Sequence, residues 1–102
     1  MYIVRDIFQL KFGHYRPVKI LIDEAFGMGM MPEGKTSRVL SDFTGDAYRL
    51  IFETGFDSLS DYEKELTQDM NKPEWQEWYK RFIEHVESSH REILKEVSIS
   101  RK

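Results

Sequence analysis

The chain contains no cysteine among its 102 residues. This absence excludes disulfides, thiolate metal sites and a cysteine nucleophile, and it fits a reducing compartment, so a cytoplasmic location is expected. Long apolar runs are also missing, because none approaches the roughly 18 residues that a membrane-spanning helix needs. The opening residues, MYIVRDIFQL, do not form an export signal. We therefore expect neither a membrane partner nor secretion.

A basic surface is missing too, since 15 Lys and Arg residues stand against 18 Asp and Glu residues spread along the chain. We therefore expect no nucleic-acid partner. The chain has three histidines, and His85 and His90 lack the four-residue spacing of a helical metal pair, so no metal site is predicted. No glycine-rich phosphate loop or nucleophile elbow is present either, and no cofactor is predicted.

The length and composition predict one folded domain over residues 1–102. Splitting a chain of this length would leave pieces too small to bury a useful core. Hydrophobic residues make up 40% of the chain and aromatic residues 14%, which is enough for a globular core.

Alternating polar and apolar residues predict three strands, at residues 2–11, 37–45 and 47–56. In the first strand, Asp6 interrupts a face that is otherwise apolar. Gly45 suits the tight turn of an antiparallel hairpin between the second and third strands. Residues 88–99 fit either a strand or a helix, and we predict a fourth strand there.

Three helices are predicted from residues spaced three and four apart. The first starts near Tyr15 and is followed by a methionine loop that contains Met28, Met30 and Met31. The second begins near Ser58, with a capping-box spacing from Ser60 to Glu63. The third opens at Pro73 and carries an aromatic face, which we expect to be core, with stacking on a flat ligand as the alternative. That face consists of Trp75, Trp78, Tyr79 and Phe82.

This order of elements predicts an α+β fold of the ferredoxin-like, split βαβ type. Four antiparallel strands would form the sheet, with the helices on one face. The other face would expose apolar side chains to water, so we expect a homodimer in which two sheets face each other. The side chains concerned are Ile3, Ile7, Leu40 and Ile51.

Charged residues on that same uncovered face are the predicted ligand-binding residues. They are Arg5, Arg38, Arg49, Asp42 and Glu53. Together they could orient an anionic or carbonyl-bearing molecule, and the alternative is that they pair with one another across the strands. Asp6 and His14 are candidate catalytic groups as an acid or base, with a structural hydrogen bond or a surface position as the alternative.

Several segments resemble the dimeric α+β barrel superfamily, and within it the NIPSNAP-like and antibiotic-biosynthesis-monooxygenase-like proteins. They are the strand ending LKFG, the hairpin, the helix start SLSDYEKEL, the aromatic PEWQEWYKRF and the closing SSHREIL. The resemblance spans nearly the whole chain and implies a dimeric barrel. Many members of this superfamily have no assigned reaction.

The haem-degrading branch of that superfamily uses an asparagine, a tryptophan and a histidine, and this chain has Asp6, Tyr62 and Tyr79 near those positions. The resemblance therefore argues against haem degradation. We expect a barrel of unassigned biochemical function that binds a small organic molecule. The alternatives are a cofactor-free monooxygenase or isomerase acting on an aromatic or polyketide-like substrate, and a purely structural dimerisation module.

Overall fold

The computed structural model describes residues 1–29, 36–44 and 48–99, which form four strands and three helices. In chain order these are β1 (Tyr2–Leu10), α1 (Tyr15–Gly27), β2 (Thr36–Ser41), β3 (Arg49–Phe56), α2 (Leu59–Met70), α3 (Pro73–Ile83) and β4 (Val86–Lys95). The ambiguous tail thus forms a strand as predicted, although it covers Val86–Lys95 rather than residues 88–99. The predicted turn at Gly45 and the loop residues Met30 and Met31 lie outside the described residues, whereas Met28 is exposed.

The strands form one sheet in the order β2-β3-β1-β4, and every neighbouring pair is antiparallel. β1 and β3 therefore occupy the centre, where Asp6 lies between Phe52 of β3 and Arg91 of β4. This is the ferredoxin-like arrangement, and the predicted fold class is confirmed.

All three helices pack on one side of the sheet, called here the covered face. In β1 this face consists of Val4, Asp6, Phe8 and Leu10. Phe8, Leu10 and Leu50 of the sheet join Val18 and Ile22 of α1 in a core that also contains Trp78 and Phe82 of α3. α2 contributes Tyr62, whose ring lies 5.3 Å from the ring of Phe56. The alternation read from the sequence thus separates the two faces correctly.

The opposite side, called here the open face, carries bands of side chains that run across the strands. One band is apolar and runs from Leu40 through Ile51 to Ile7. The next band is charged and crosses all four strands as Arg38, Glu53, Arg5 and Glu92. Ile7 and Ile51 are each only 5% exposed, so the expectation that they meet water on this face is wrong, because neighbouring side chains already cover them; Ile3 and Leu40 are half-buried.

Two polar contacts hold α1 and α3 together above the covered face. The indole Nε1 of Trp78 donates a hydrogen bond to the carbonyl oxygen of Leu21 at 2.8 Å. Arg81 donates two hydrogen bonds to Glu24, at 2.8 and 3.0 Å. The hydrogen bond with Arg81 lowers the pKa of Glu24. No helix in the described part of the chain is long and apolar enough to cross a membrane.

Local polar groups change one predicted boundary and one predicted helix cap. β2 ends at Ser41, short of the predicted residue 45, because the Asp42 carboxylate accepts the backbone N–H of Arg49 at 3.2 Å and closes the ladder. α2 begins as predicted just after Ser58, but the capping hydroxyl is that of Ser58, which accepts the N–H of Asp61 at 3.1 Å. The spacing of a capping box therefore recurs two residues earlier than the predicted Ser60 pair.

Candidate functional site

Two adjoining cavities lie between the covered face of the sheet and helices α2 and α3. The first, called here the aromatic cavity, has a volume of about 110 Å³ and is walled by Phe8, Phe52, Trp75, Trp78, Tyr79 and Phe82, among others. The second, called here the Tyr62 cavity, is also about 110 Å³ and extends to Phe56, Leu66 and Met70. Both are lined by Asp6, Thr54, Trp75 and Arg91, so the two cavities meet around one polar cluster.

The rings along α3 are stacked because the helix presents every third or fourth side chain to the same side. Trp75 and Trp78 lie 5.3 Å apart at an angle of 24°, and Trp78 and Phe82 lie 5.1 Å apart at 11°. Phe8 of β1 meets Phe82 edge-on, at 86°. Trp78 and Phe82 are fully buried, whereas Tyr79 is 37% exposed. The cluster is thus both core and cavity wall.

Asp6 is the carboxylate that the sequence marked as anomalous, and the structure gives it a partner. Arg91 of β4 donates a hydrogen bond from Nε to the Asp6 carboxylate. Burial lowers the pKa of Arg91, but the hydrogen bond and charge of Asp6 outweigh that effect, so the pKa of Arg91 is raised. A catalytic role for Asp6 stays a prediction, and its observed contact is this ion pair inside the site.

Tyr62 is the second polar group of interest. Its hydroxyl oxygen is buried and forms no hydrogen bond with any described residue. The guanidinium carbon of Arg91 lies 5.8 Å from the centre of the Tyr62 ring. Burial raises the pKa of the Tyr62 phenol, and the charge of Asp6 adds to the rise while that of Arg91 opposes it. The hydroxyl therefore keeps its proton and can act as a hydrogen-bond donor.

The predicted ligand-binding residues lie together on the open face, but the structure pairs their charges. Glu53 accepts hydrogen bonds from Arg38, at 2.7 and 2.9 Å, and lies 3.4 Å from Nε of Arg5. Arg5 also lies 3.7 Å from Glu92. Asp42 forms an ion pair with Arg49, in which Oδ1 of Asp42 lies 2.9 Å from Nη2 of Arg49. These are the cross-strand pairs that the sequence left open as the alternative, and a ligand role for them stays a prediction.

These residues also differ in their distance from the cavities. Arg38 lines the aromatic cavity, and a third cavity of about 230 Å³ lies between α1 and β2, lined by Tyr15, Phe26 and Leu40 among others. Arg5, Arg49 and Glu53 line none of these three cavities.

His14 lies outside the site as well. Its Nδ1 is 3.0 Å from Nδ1 of His85, so the ring joins the loop before α1 to the loop before β4. One ring must donate and the other accept in this contact, which leaves His14 with a structural partner. In the described segments, no three His, Asp or Glu residues are arranged to hold a metal ion.

Arg91 is the site residue that the sequence did not reveal. The strand assignment of the tail could have suggested it, because a strand that pairs antiparallel with β1 can bring a basic residue opposite Asp6. From the sequence, Tyr62 is notable only for its place near the tryptophan position of the haem-degrading branch. Nothing in the sequence pattern indicated that its hydroxyl would be buried without a partner.

Comparisons with known proteins agree with this geometry at the level of the fold. The chain is similar to an uncharacterized NIPSNAP domain protein from Burkholderia xenovorans, with 14% identity, a TM-score of 0.86 and 100% of both chains covered. A NIPSNAP family protein from Agrobacterium tumefaciens shares 21% identity and a TM-score of 0.86, with 97% of this chain and 88% of that chain covered.

A structure named as an antibiotic biosynthesis monooxygenase is similar at 13% identity and a TM-score of 0.72, with 96% of this chain and 100% of that chain covered. A comparison with curated protein sequences gave no match. The family model named NIPSNAP matches residues 34–101, which include β2, β3, α2, α3 and β4 and therefore most of the site. This match confirms the resemblance seen in the sequence: the chain belongs to the NIPSNAP family.

Proposed function

We propose that this NIPSNAP protein binds a small planar organic molecule in the aromatic cavity and the adjoining Tyr62 cavity. The observation that supports this most directly is the combination of stacked rings with a small polar cluster where the two cavities meet. Binding sites for small molecules are typically apolar hollows with a few placed polar groups. The sequence does not identify the molecule, and its class is inferred from the walls.

The size and shape of the walls favour a flat ligand of one or two rings. Each cavity is about 110 Å³, well below the roughly 300–1,000 Å³ of sites for drug-sized molecules. Trp75 and Tyr79 are stacked at 28° and are less buried than the rings beneath them. A planar molecule could stack on their faces in the offset or edge-on manner that aromatic pairs prefer.

The two tryptophans of the chain provide a direct test, because both line the aromatic cavity. Two indole N–H signals are therefore expected in a ¹H–¹⁵N NMR spectrum. We expect naphthalene derivatives to shift both signals in a saturable titration. Failure of a broad set of one- and two-ring aromatics to move either signal would contradict the proposal.

A cavity-filling substitution, compared with the same substitution on the surface, provides a second test. Thr54 is 7% exposed and lines both cavities, whereas Thr67 lies on the exposed surface of α2. Thr54→Leu adds volume where the cavities meet and should weaken binding by about tenfold or more, as overpacking costs about 1–3 kcal/mol. Thr67→Leu should leave binding unchanged. Equal affinity in both variants would place the ligand elsewhere.

A second function, homodimerisation through the open face, is supported by the charged band Arg38, Glu53, Arg5 and Glu92. The charges alternate in sign along the band. If a second copy of the band runs in the opposite order, each charge therefore faces a charge of the opposite sign. A two-fold axis parallel to the strands and between two facing sheets performs this reversal. Arg38 would then face the partner's Glu92, and Glu53 would face the partner's Arg5.

The same axis would bring the apolar bands into contact, with Ile51 facing the partner's Ile7. Two neighbouring residues of β4 test this arrangement, since Leu94 lies on the open face and Ile93 on the covered side, with exposures of 45% and 46%. Leu94→Asp should weaken the dimer by at least about tenfold, because it buries an unpaired charge. Ile93→Asp should not. Sedimentation showing that the unchanged chain is a monomer at micromolar concentration would contradict the proposal.

A further inference from the structure

The charged residues that line the two cavities leave no unpaired cation among the described residues. Asp6 and Arg91 carry opposite charges in this lining and Glu65 is a further acidic residue, whereas Arg38 lines the aromatic cavity but has its guanidinium on the open face; no other Asp, Glu, Lys or Arg among the described residues lines either cavity. Arg91 is bound to Asp6 and Arg38 is bound to Glu53. The lining therefore offers no unpaired positive charge to balance a carboxylate ligand. A neutral molecule enters it at the smallest desolvation cost.

The Tyr62 hydroxyl is the buried side-chain polar group in this lining that has no hydrogen-bond partner among the described residues. Asp6 and Arg91 satisfy each other, and the hydroxyl of Ser37 lies 3.4 Å from that of Thr54. A buried hydroxyl without a partner costs free energy in the empty protein. That cost is recovered when a ligand supplies an acceptor. Because burial raises the pKa of the phenol, the group remains a donor at neutral pH.

We infer that the Tyr62 hydroxyl is the specificity-determining donor of the site and that it selects a neutral planar molecule bearing a carbonyl oxygen. This inference rests on the proposed function and adds the chemical class of the ligand. The aromatic walls hold the flat ring system, and the hydroxyl donates to the carbonyl oxygen. Ligands that lack an acceptor leave the hydroxyl unpaired, and ligands that carry a carboxylate bring an unbalanced charge into the site.

Three probes of similar shape separate these effects: 2-acetylnaphthalene, 2-ethylnaphthalene and 2-naphthoate. Their affinities are measured by the shifts of the two tryptophan indole signals. In the unchanged chain, the ketone should bind about 3- to 10-fold more tightly than the hydrocarbon, which is the range of one neutral hydrogen bond. The carboxylate should bind more weakly than the ketone, because its charge has no free partner.

Tyr62→Phe removes the donor and keeps the ring. It should lower the affinity for the ketone by about 3- to 10-fold and leave the affinity for the hydrocarbon unchanged. Its melting temperature should equal or exceed that of the unchanged chain, because an unpaired hydroxyl has been removed. Tyr15→Phe is the matched control, since Tyr15 is 40% exposed and lines neither of these two cavities. It should leave both affinities unchanged.

Each outcome decides one of the two proposals. If no probe shifts the indole signals, the proposed function fails, and this inference fails with it. If the probes bind but the ketone and the hydrocarbon bind equally, the inference is overturned while the proposed function stands. The same holds if Tyr62→Phe weakens both probes alike or if the carboxylate binds most tightly. Should Tyr62→Phe fail to fold, the comparison of the three probes in the unchanged chain still decides the matter.

Discussion

The two faces of the sheet carry their charges in different ways, although the same strands supply both. On the covered face, one ion pair between Asp6 and Arg91 lies among aromatic rings at the junction of two cavities. On the open face, one residue away, Arg5 lies between Glu53 and Glu92 in a band that crosses the whole sheet. An isolated pair in an apolar setting leaves room for a ligand, whereas the residues of a continuous band pair their charges with one another.

The largest expected effect comes from the rings that the covered face buries. Phe82 is fully buried and contacts the rings of Phe8, Phe52 and Trp78. Phe82→Ala should lower the free energy of unfolding by about 3–5 kcal/mol, as measured by urea denaturation. The neighbouring Ile83 is 45% exposed, and Ile83→Ala should cost less than about 1 kcal/mol. Similar losses in the two variants would contradict the assignment of the core to this face.

The ion pairs between β1 and β4 allow the two faces to be compared directly. Asp6→Ala leaves Arg91 beside the cavities without its carboxylate and should cost about 1–2 kcal/mol, with Arg91 being 44% exposed. Glu92→Ala should cost less than about 0.5 kcal/mol, because Glu92 is 43% exposed and Arg5 keeps Glu53. Urea denaturation of both variants measures the difference. A larger loss for Glu92→Ala would reverse the comparison.

The hydrogen bond between His14 and His85 lies in loops outside both faces of the sheet, and it serves as a reference for the effects on either face. His14→Ala removes the 3.0 Å hydrogen bond to His85 and should cost about 0.5–1.5 kcal/mol. Because His14 lies away from the three cavities, the affinity for aromatic probes should not change. A double-mutant cycle with His85→Ala isolates the pair, and a coupling energy near zero would show that the contact contributes nothing.

The smallest expected effect tests the burial of the Tyr62 phenol on the covered face. Burial raises the pKa of Tyr62 above its ordinary value of 10.0. The folded protein then holds this proton more tightly than the unfolded chain, so the associated stability is present below about pH 10 and is lost as the pH rises through the folded value. Urea denaturation at about pH 8 and about pH 11 should therefore show a larger loss in the unchanged chain than in Tyr62→Phe. Equal losses would contradict a buried phenol.

The fold could be predicted largely because its signals are local. Alternation identified β1 and separated its two faces, and the spacing of Trp75, Trp78 and Phe82 identified α3. The family resemblance rested on the same segments and was confirmed. The exact ends of β2 and the cap of α2 depend on single hydrogen bonds from Asp42 and Ser58, which a pattern does not specify.

The candidate site was less accessible to sequence reasoning because it depends on register and helix placement. Asp6 was recognisable as a misplaced carboxylate, but its partner Arg91 lies 85 residues away on the strand with the weakest pattern. The charges of Arg5 and Glu53 suggested a ligand because their mutual register was unknown. The cavities themselves arise where α2 and α3 cross the sheet, and no residue pattern encodes that crossing.

The charged band of the open face also bears on how the strands find one another during folding. Arg5 meets Glu53 and Glu92 only when β1 is aligned correctly with both neighbours. A slip of two residues keeps every side chain on its own face, so hydrophobic burial alone penalises it weakly. That slip would, however, move Arg5 opposite Ile51 or Gly55 on β3. The charged band therefore favours the native strand register over registers that are shifted by two residues.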